Sequence, residues 1–300
     1  MLHVANHRRL LRAGFRQRRL RTGHGEVAVY DARGKSAGPT LVMVHGVSSR
    51  GSTYARVARG LLDQCRRIVI PDLLGHGDSH IPNAGLRIHT IDEALQSTLD
   101  DIVPEQMVLY GNSMGGFIAA LYAAARPWRV KGLLLSNPGG APVPDEVFYR
   151  AIGLLTPSNH AEAVRLAEAG SSFRSRLILH LGALNIRRNL ARPHIRTFLE
   201  SARPDECLNA EQIGRFDMPT LVLTGTDDGV IPDETLEWYR ANLPAHAVVE
   251  EVDAFGHAPM SERPRVLTQR LRRFLSEVES GRPHRPALPG TVGGKEVAAW

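Results

Sequence analysis

The sequence predicts an α/β protein built on a mostly parallel, doubly wound sheet, and two observations carry that prediction. Short apolar runs of β type alternate with amphipathic helical stretches through most of the 300 residues, the pattern of parallel strands joined by helices that cover both faces. Several runs, such as Met107-Val108-Leu109-Tyr110 and Leu221-Val222-Leu223, are apolar without alternation and then break off at a glycine followed by polar residues. Strands buried on both faces read this way, and the loops at their carboxyl ends are where open α/β sheets place their sites.

In chain order, residues 1–24 read as a solvated basic arm, because Arg8, Arg9, Arg12, Arg16, Arg18, Arg19 and Arg21 crowd one short segment of a chain whose net charge is +6. If Leu10, Leu11, Phe15 and Leu20 share a helical face, the arm makes weak contact with an anionic membrane surface; nucleic acid is not an expected partner. Strands are expected at 26–30, 40–45, 67–71, 106–110, 131–136, 220–224 and 247–252, and helices between them at 52–62, 90–101, 113–125, 233–242 and 264–279. Residues 138–218 separate two strands that should be neighbours and are far too many for a simple connection, so they form a unit of their own. Its helices are expected at 145–155, 158–169 with Ser158 as N-cap, 175–184, 193–202 and 210–216. Residues 281–300, rich in Pro and Gly, are expected to be disordered.

The strand at 106–110 runs into Gly111-Asn112-Ser113-Met114-Gly115-Gly116 and then a helical pattern. A serine on a strand-to-helix turn is held in a strained conformation that only small neighbours two residues away tolerate, and Gly111 and Gly115 stand at those positions. The helix start also aims free N–H groups and the positive end of its dipole at any oxyanion formed beside the serine. Ser113 is therefore a candidate nucleophile. It requires a base and a group that orients the base. Asp227 and Asp228 follow the strand at 220–224, and His257 follows the last strand; spacing alone does not separate the two aspartates.

These residues resemble the α/β-hydrolase family. Gly225, Asp228 and Pro232 match its Gly-x-x-Asp-x-x-x-Pro segment, and Gly256, His257, Glu262 and Pro264 match its Gly-His-x-x-x-x-Glu-x-Pro segment. His45-Gly46-Val47 and the run from Asp72 through Gly75 and Gly77 to Ser79 match two further loops, with His45, Asp72, His76 and Ser79 read as parts that shape them. The resemblance implies an α/β-hydrolase core formed by 25–137 and 219–280, with 138–218 as a helical cap. It also implies a catalytic triad of Ser113, Asp228 and His257, with an oxyanion hole made by the backbone N–H groups of Val47 and Met114. Cap side chains facing the site would include Val147, Phe148, Ile152, Leu154, Leu177, Ile178, Leu181, Leu184 and Phe198, an aliphatic set suited to a substrate with an apolar part. Arg187 and Arg188 are read as a solvated basic face.

The expected activity is that of a serine hydrolase cleaving a carboxylic ester, with an apolar acyl or alcohol part, through an acyl-enzyme. Gly-Asn-Ser-Met-Gly-Gly and Asn137-Pro138-Gly139-Gly140 also resemble the carbon-carbon bond hydrolases of ring-fission diketones, although His45-Gly46-Val47-Ser48-Ser49 lacks their Gly-Pro-Gly run and Pro259 stands where they often carry Trp. A slow-turnover ligand-binding receptor on the same fold is the reading from another class. No cofactor or metal is expected, since the sequence has neither a phosphate loop nor a dinucleotide fingerprint, and Cys65 and Cys207 lack metal-ligand spacing. No apolar run approaches the ~20 residues that span a bilayer and no signal segment opens the chain, so a cytoplasmic location is expected.

Overall fold

In a computed structural model, residues 2–173 and 175–282 are described. Helix α1 (Leu2–Arg12) precedes strands β1 (Arg16–Thr22), β2 (Gly25–Arg33) and β3 (Thr40–Val44), and a 3₁₀ turn (Gly51–Tyr54) runs into α2 (Ala55–Arg59). Then follow β4 (Arg67–Pro71), α3 (Ile88–Ile102), β5 (Met107–Asn112), α4 (Met114–Ala125) and β6 (Val130–Ser136). Five helices come next: α5 (Asp145–Leu155), α6 (His160–Ala169), α7 (Arg176–Leu190), α8 (Pro193–Glu200) and α9 (Ala210–Gly214). The chain closes with β7 (Thr220–Gly225), α10 (Asp233–Asn242), β8 (Val248–Val252), α11 (Pro259–Glu262) and α12 (Pro264–Ser280).

The eight strands form one sheet in the order β1-β2-β4-β3-β5-β6-β7-β8, with β1 and β2 antiparallel to their neighbours and the remaining pairs parallel. Because successive side chains leave a strand on opposite faces, β3 sends Leu41 and Met43 to one side and Val42 and Val44 to the other, into two separate apolar clusters. The first is covered by α1, α2 and α12 through Leu10, Val57, Leu271 and Phe274, the second by α3 and α4 through Leu95, Leu99 and Ile118. This is the α/β-hydrolase fold. The five helices between β6 and β7 occupy the expected insertion.

Of residues 1–24, expected as a solvated arm, the described part, from residue 2 on, is instead built into the fold. Helix α1 packs on α2, and β1 adds an antiparallel edge strand that pairs Arg16 with Asp31 and Leu20 with Val27. Leu10, Phe15 and Leu20 are buried in the core, so of the four apolar residues proposed to touch a membrane only Leu11 faces solvent. The second helix of the insertion starts at His160 rather than 158, because the Asn159 side chain accepts from Glu162 N–H as its cap. Of the expected tail, Gly281 ends α12 at φ 65° and residues 283–300 lie outside the described residues, as does the expectation for them. Among the described residues no helix is long and apolar enough to cross a membrane.

Since Phe15 is 2% exposed and Leu11 44%, Phe15→Ala is expected to lower stability by about 3 kcal/mol in urea unfolding, and Leu11→Ala by less than about 0.5 kcal/mol. Equal small effects would show that the amino-terminal segment is not part of the core.

Candidate active site

Ser113 sits between β5 and α4 with φ 58° and ψ −126°, a region that costs a non-glycine residue about 1–3 kcal/mol. Its surroundings enforce the conformation. Ser113 N–H donates to the Ser136 carbonyl at 3.1 Å, and its own carbonyl accepts from Gly116, Phe117 and Gly139. The turn is possible because α4 comes very close to β3 and β5: a Cβ on Gly115 would stand 2.4 Å from the carbonyl oxygens of Val44 and His45, and one on Gly111 would stand 2.2 Å from the Gly115 carbonyl oxygen.

The loop after β3 abuts this serine, with a Cβ on Gly46 placed 3.0 Å from that of Ser113. Among the described residues the N–H groups of Val47 and Met114 have no hydrogen-bond acceptor, which leaves both donors open beside Ser113. The loop is fixed from behind. His45 Nδ1–H donates to the Gly46 carbonyl at 2.8 Å and its Nε2 accepts from Leu73 N–H at 3.0 Å, which requires the neutral ring. Burial, reinforced by His76, lowers its pKa to about 3. The buried Asp72 carboxylate accepts from Gly51 N–H and Asp78 N–H, tying the loop after β3 to the loop after β4. Burial lifts its pKa to about 6 against the pull of those two donors.

His257, in the loop after β8, bridges the rest. Its ring lies 2.9 Å from Asp228 Oδ2 through Nδ1 and 2.9 Å from Ser113 Oγ through Nε2. A carboxylate at Nδ1 places the proton there and leaves the Nε2 lone pair facing the serine hydroxyl. Asp228 is itself held, its Oδ1 accepting from Val230 and Ile231 N–H, and its side chain is 2% exposed. Of the two adjacent aspartates, Asp228 touches the imidazole, while Asp227 uses its N–H on the Phe255 carbonyl. Burial alone would lower the His257 pKa; the charge and hydrogen bond of Asp228, with the charge of Glu262, outweigh it and raise the pKa.

Four residues outside this set hold the histidine loop. The amides of Asn112 and Asn137 both donate to the His257 carbonyl, and Asn137 also donates to the Gly256 carbonyl at 2.9 Å and accepts from Gly225 N–H. In the sequence these asparagines carried only a family likeness. The link between α6 and α7 supplies the others: the Gly170 carbonyl accepts from His257 N–H at 2.8 Å, and Ser172 donates from N–H and Oγ to Glu262 Oε2 at 2.8 and 2.7 Å. The Ala169 carbonyl meanwhile accepts from Gly229 N–H, next to Asp228. One short segment of the insertion therefore clamps the acid loop and the base loop together. Spacing in the sequence could not reveal this, because the partners lie from sixty to ninety residues apart.

The apolar set expected to face the site divides. Val147 and Phe198 are buried and Leu154 packs against the core, but Leu177, Leu181 and Leu184 are 70%, 59% and 55% exposed on the outer face of α7. Helix α7 buries Leu179, Ala183 and Leu190 instead.

A sequence profile for the family described as serine aminopeptidase, S33, matches residues 35–264. The chain is 28% identical to Lipase 1 of Psychrobacter immobilis over 276 residues, covering 86% of this chain and 83% of that one. It is 30% identical to a 2-hydroxy-6-oxononadienedioate/2-hydroxy-6-oxononatrienedioate hydrolase of Paraburkholderia xenovorans, covering 71% and 79%. Its fold superposes on the crystal structure of a membrane phospholipase A, a bacterial virulence factor, with TM-score 0.79 and 27% identity over 93% and 91% of the two chains.

Asn137→Ala removes a donor to the histidine loop and the acceptor of Gly225 N–H in one step, and is expected to lower stability by about 1–3 kcal/mol. Thermal unfolding checks this, and an unchanged midpoint would deny the loop its dependence on Asn137.

Proposed function

Because the chain belongs to the serine aminopeptidase, S33, family of hydrolases, we propose that it cleaves a carboxylic ester through an acyl-enzyme formed on Ser113. The observation that carries this reading is the unbroken chain from Asp228 through His257 to Ser113, two contacts of 2.9 Å, ending beside two amides with no acceptor. Ser113 Oγ attacks the ester carbonyl as His257 Nε2 takes its proton. The negative oxygen of the tetrahedral intermediate is stabilised by Val47 and Met114 N–H, a kind of donor whose loss costs about a hundredfold or more in rate. His257 returns the proton to the leaving alcohol, then activates a water that frees the acid and restores Ser113. Asp228 keeps the imidazole in the tautomer this requires and stabilises its cation. The insertion acts as a cap, since Gly170 and Ser172 hold the histidine loop. The names of the relatives, a lipase and a phospholipase, favour an ester with an apolar part.

Cleavage of a carbon-carbon bond in an acidic diketone is the second reading. It is favoured by the hydrolase relative at 30% identity.

Steady-state hydrolysis of p-nitrophenyl esters of graded chain length tests the proposal. Ser113→Ala is expected to lose at least about a thousandfold in kcat/KM and Asp228→Asn about ten-thousandfold, while Asp227→Asn stays within about threefold of wild type. A larger loss at Asp227, or full activity in Ser113→Ala, would contradict the assignment; no ester turnover alongside turnover of a ring-fission diketone would favour the second reading. The base must be neutral to accept a proton, so kcat/KM falls as pH drops through the raised pKa of His257. Glu262→Gln removes a charge that favours the imidazolium and is expected to move that midpoint to lower pH, whereas a merely structural loss would lower the rate at every pH.

A further inference from the structure

Arg16 and Arg18 of the amino-terminal segment find no use in the reaction, yet the fold gathers them with other arginines. Arg16 and Arg18 of β1 gather with Arg33 of β2 and with Arg66 and Arg67 at the start of β4, around a cleft of about 830 Å³ that Gly14, Asp31 and Glu105 complete. Five guanidinium groups thus face two carboxylates. The cleft lies at the amino ends of the parallel strands, where Thr40, Arg67 and Met107 stand level in register. Ser113 and Asp228 lie at their carboxyl ends, so this is a place apart from the reaction.

Three of the arginines are tied to the carboxylates. Arg67 grips Asp31 with two bonds of 2.9 and 2.8 Å, Arg18 reaches the same carboxylate at 3.2 Å, and Arg66 lies 3.4 Å from Glu105, which Thr40 Oγ1 fixes from the other side. Both carboxylates are thereby used. Arg16 and Arg33 are exposed and, among the described residues, make no side-chain hydrogen bond or ion pair. Arg33 stands directly opposite Arg67 in the antiparallel pairing of β2 with β4, and like charges so placed destabilise a sheet. Asp31 neutralises Arg67, which leaves Arg33 as the member of the pair without a partner charge, the kind of local exception that points to a function. The compensation that fits is an anion with several oxygens, because planar guanidinium forks bind a phosphoryl group in pairs.

We propose that this arginine cleft binds a phosphate-bearing anion, either a free phosphate compound or a phospholipid headgroup, seated on Arg16 and Arg33. The proposal does not rest on the ester reading, since binding is measured without turnover. The probe for the free compound is inorganic pyrophosphate, titrated into the full chain by calorimetry at low ionic strength. The probe for the headgroup is sedimentation with phosphatidylglycerol vesicles, compared with phosphatidylcholine alone.

Saturable binding of pyrophosphate, of phosphatidylglycerol, or of both is expected, and which probe binds identifies the source. The double variant R16A/R33A is expected to weaken it by more than about tenfold with ester hydrolysis unchanged and the thermal midpoint unchanged or raised, because both side chains are exposed and remote from Ser113 and Arg33 opposes Arg67. The control is R19A/R21A: both residues lie on the other face of β1, away from the cleft, and the variant removes the same charge. It is expected to bind as wild type does. No saturable binding of either probe by the wild type, or equal weakening in the two double variants, would overturn the proposal, the latter because net charge alone would then explain the attraction.

Discussion

The close approach of helix α4 to the backbone of β3 and β5 is the constraint on which the site depends. Gly115 lies against the carbonyls of Val44 and His45, closer than any Cβ allows. That contact fixes the start of the helix, and with it the strained backbone of Ser113 and the open amide of Met114. A looser packing would relax the serine into an ordinary turn and carry its hydroxyl out of line with His257. The strain, worth about 1–3 kcal/mol, is offset by hydrogen bonds on both sides of the residue and by a helix buried on nearly all its faces.

The backbone beside His257 is tightly packed as well, a Cβ on Gly256 falling 2.6 Å from the Gly170 carbonyl oxygen. The position of His257 is over-determined by partners from four parts of the chain: Asn112 at the end of β5, Asn137 after β6, Gly170 from the insertion, and Asp228 after β7. Glu262 adds both a mechanical and an electrical link, accepting from Ser172 while its charge favours the histidine cation. Burial opposes ionisation of Glu262 and raises its pKa, with the Ser172 donors pulling the other way. The insertion is thus joined to the base through a carboxylate whose charge state both the clamp and the imidazole sense.

Much of the fold was legible because parallel strands announce themselves locally. All seven expected strands exist, and Pro264, Asp233 and Asp145 start their helices where the sequence places them. Strand β1 was not legible: Arg16 to Thr22 holds one apolar residue, Leu20, since an edge strand with one face in solvent needs no more, and the arginines read as a charge run. Helix α1 was hidden in the same way, its burial resting chiefly on Leu10. In α7, apolar residues occur on every side, so periodicity could not say that Leu179 and Ala183 turn inward while Leu177, Leu181 and Leu184 turn out. The site's outline was readable because its motifs are short and lie at strand ends. Its supports were not, because Ser172 meets Glu262 and Asn137 meets Gly225 only through tertiary structure.

The central claim is that the contact with His257, held by Asp228, turns an ordinary hydroxyl into a nucleophile. Covalent labelling with a fluorophosphonate, followed by peptide mass spectrometry, reads that activation without reference to any substrate. The account predicts a single phosphonylated peptide carrying Ser113 in the wild-type protein, and its loss in a well-folded His257→Ala variant. Labelling of another serine, or equal labelling of Ser113 without the imidazole, would contradict it.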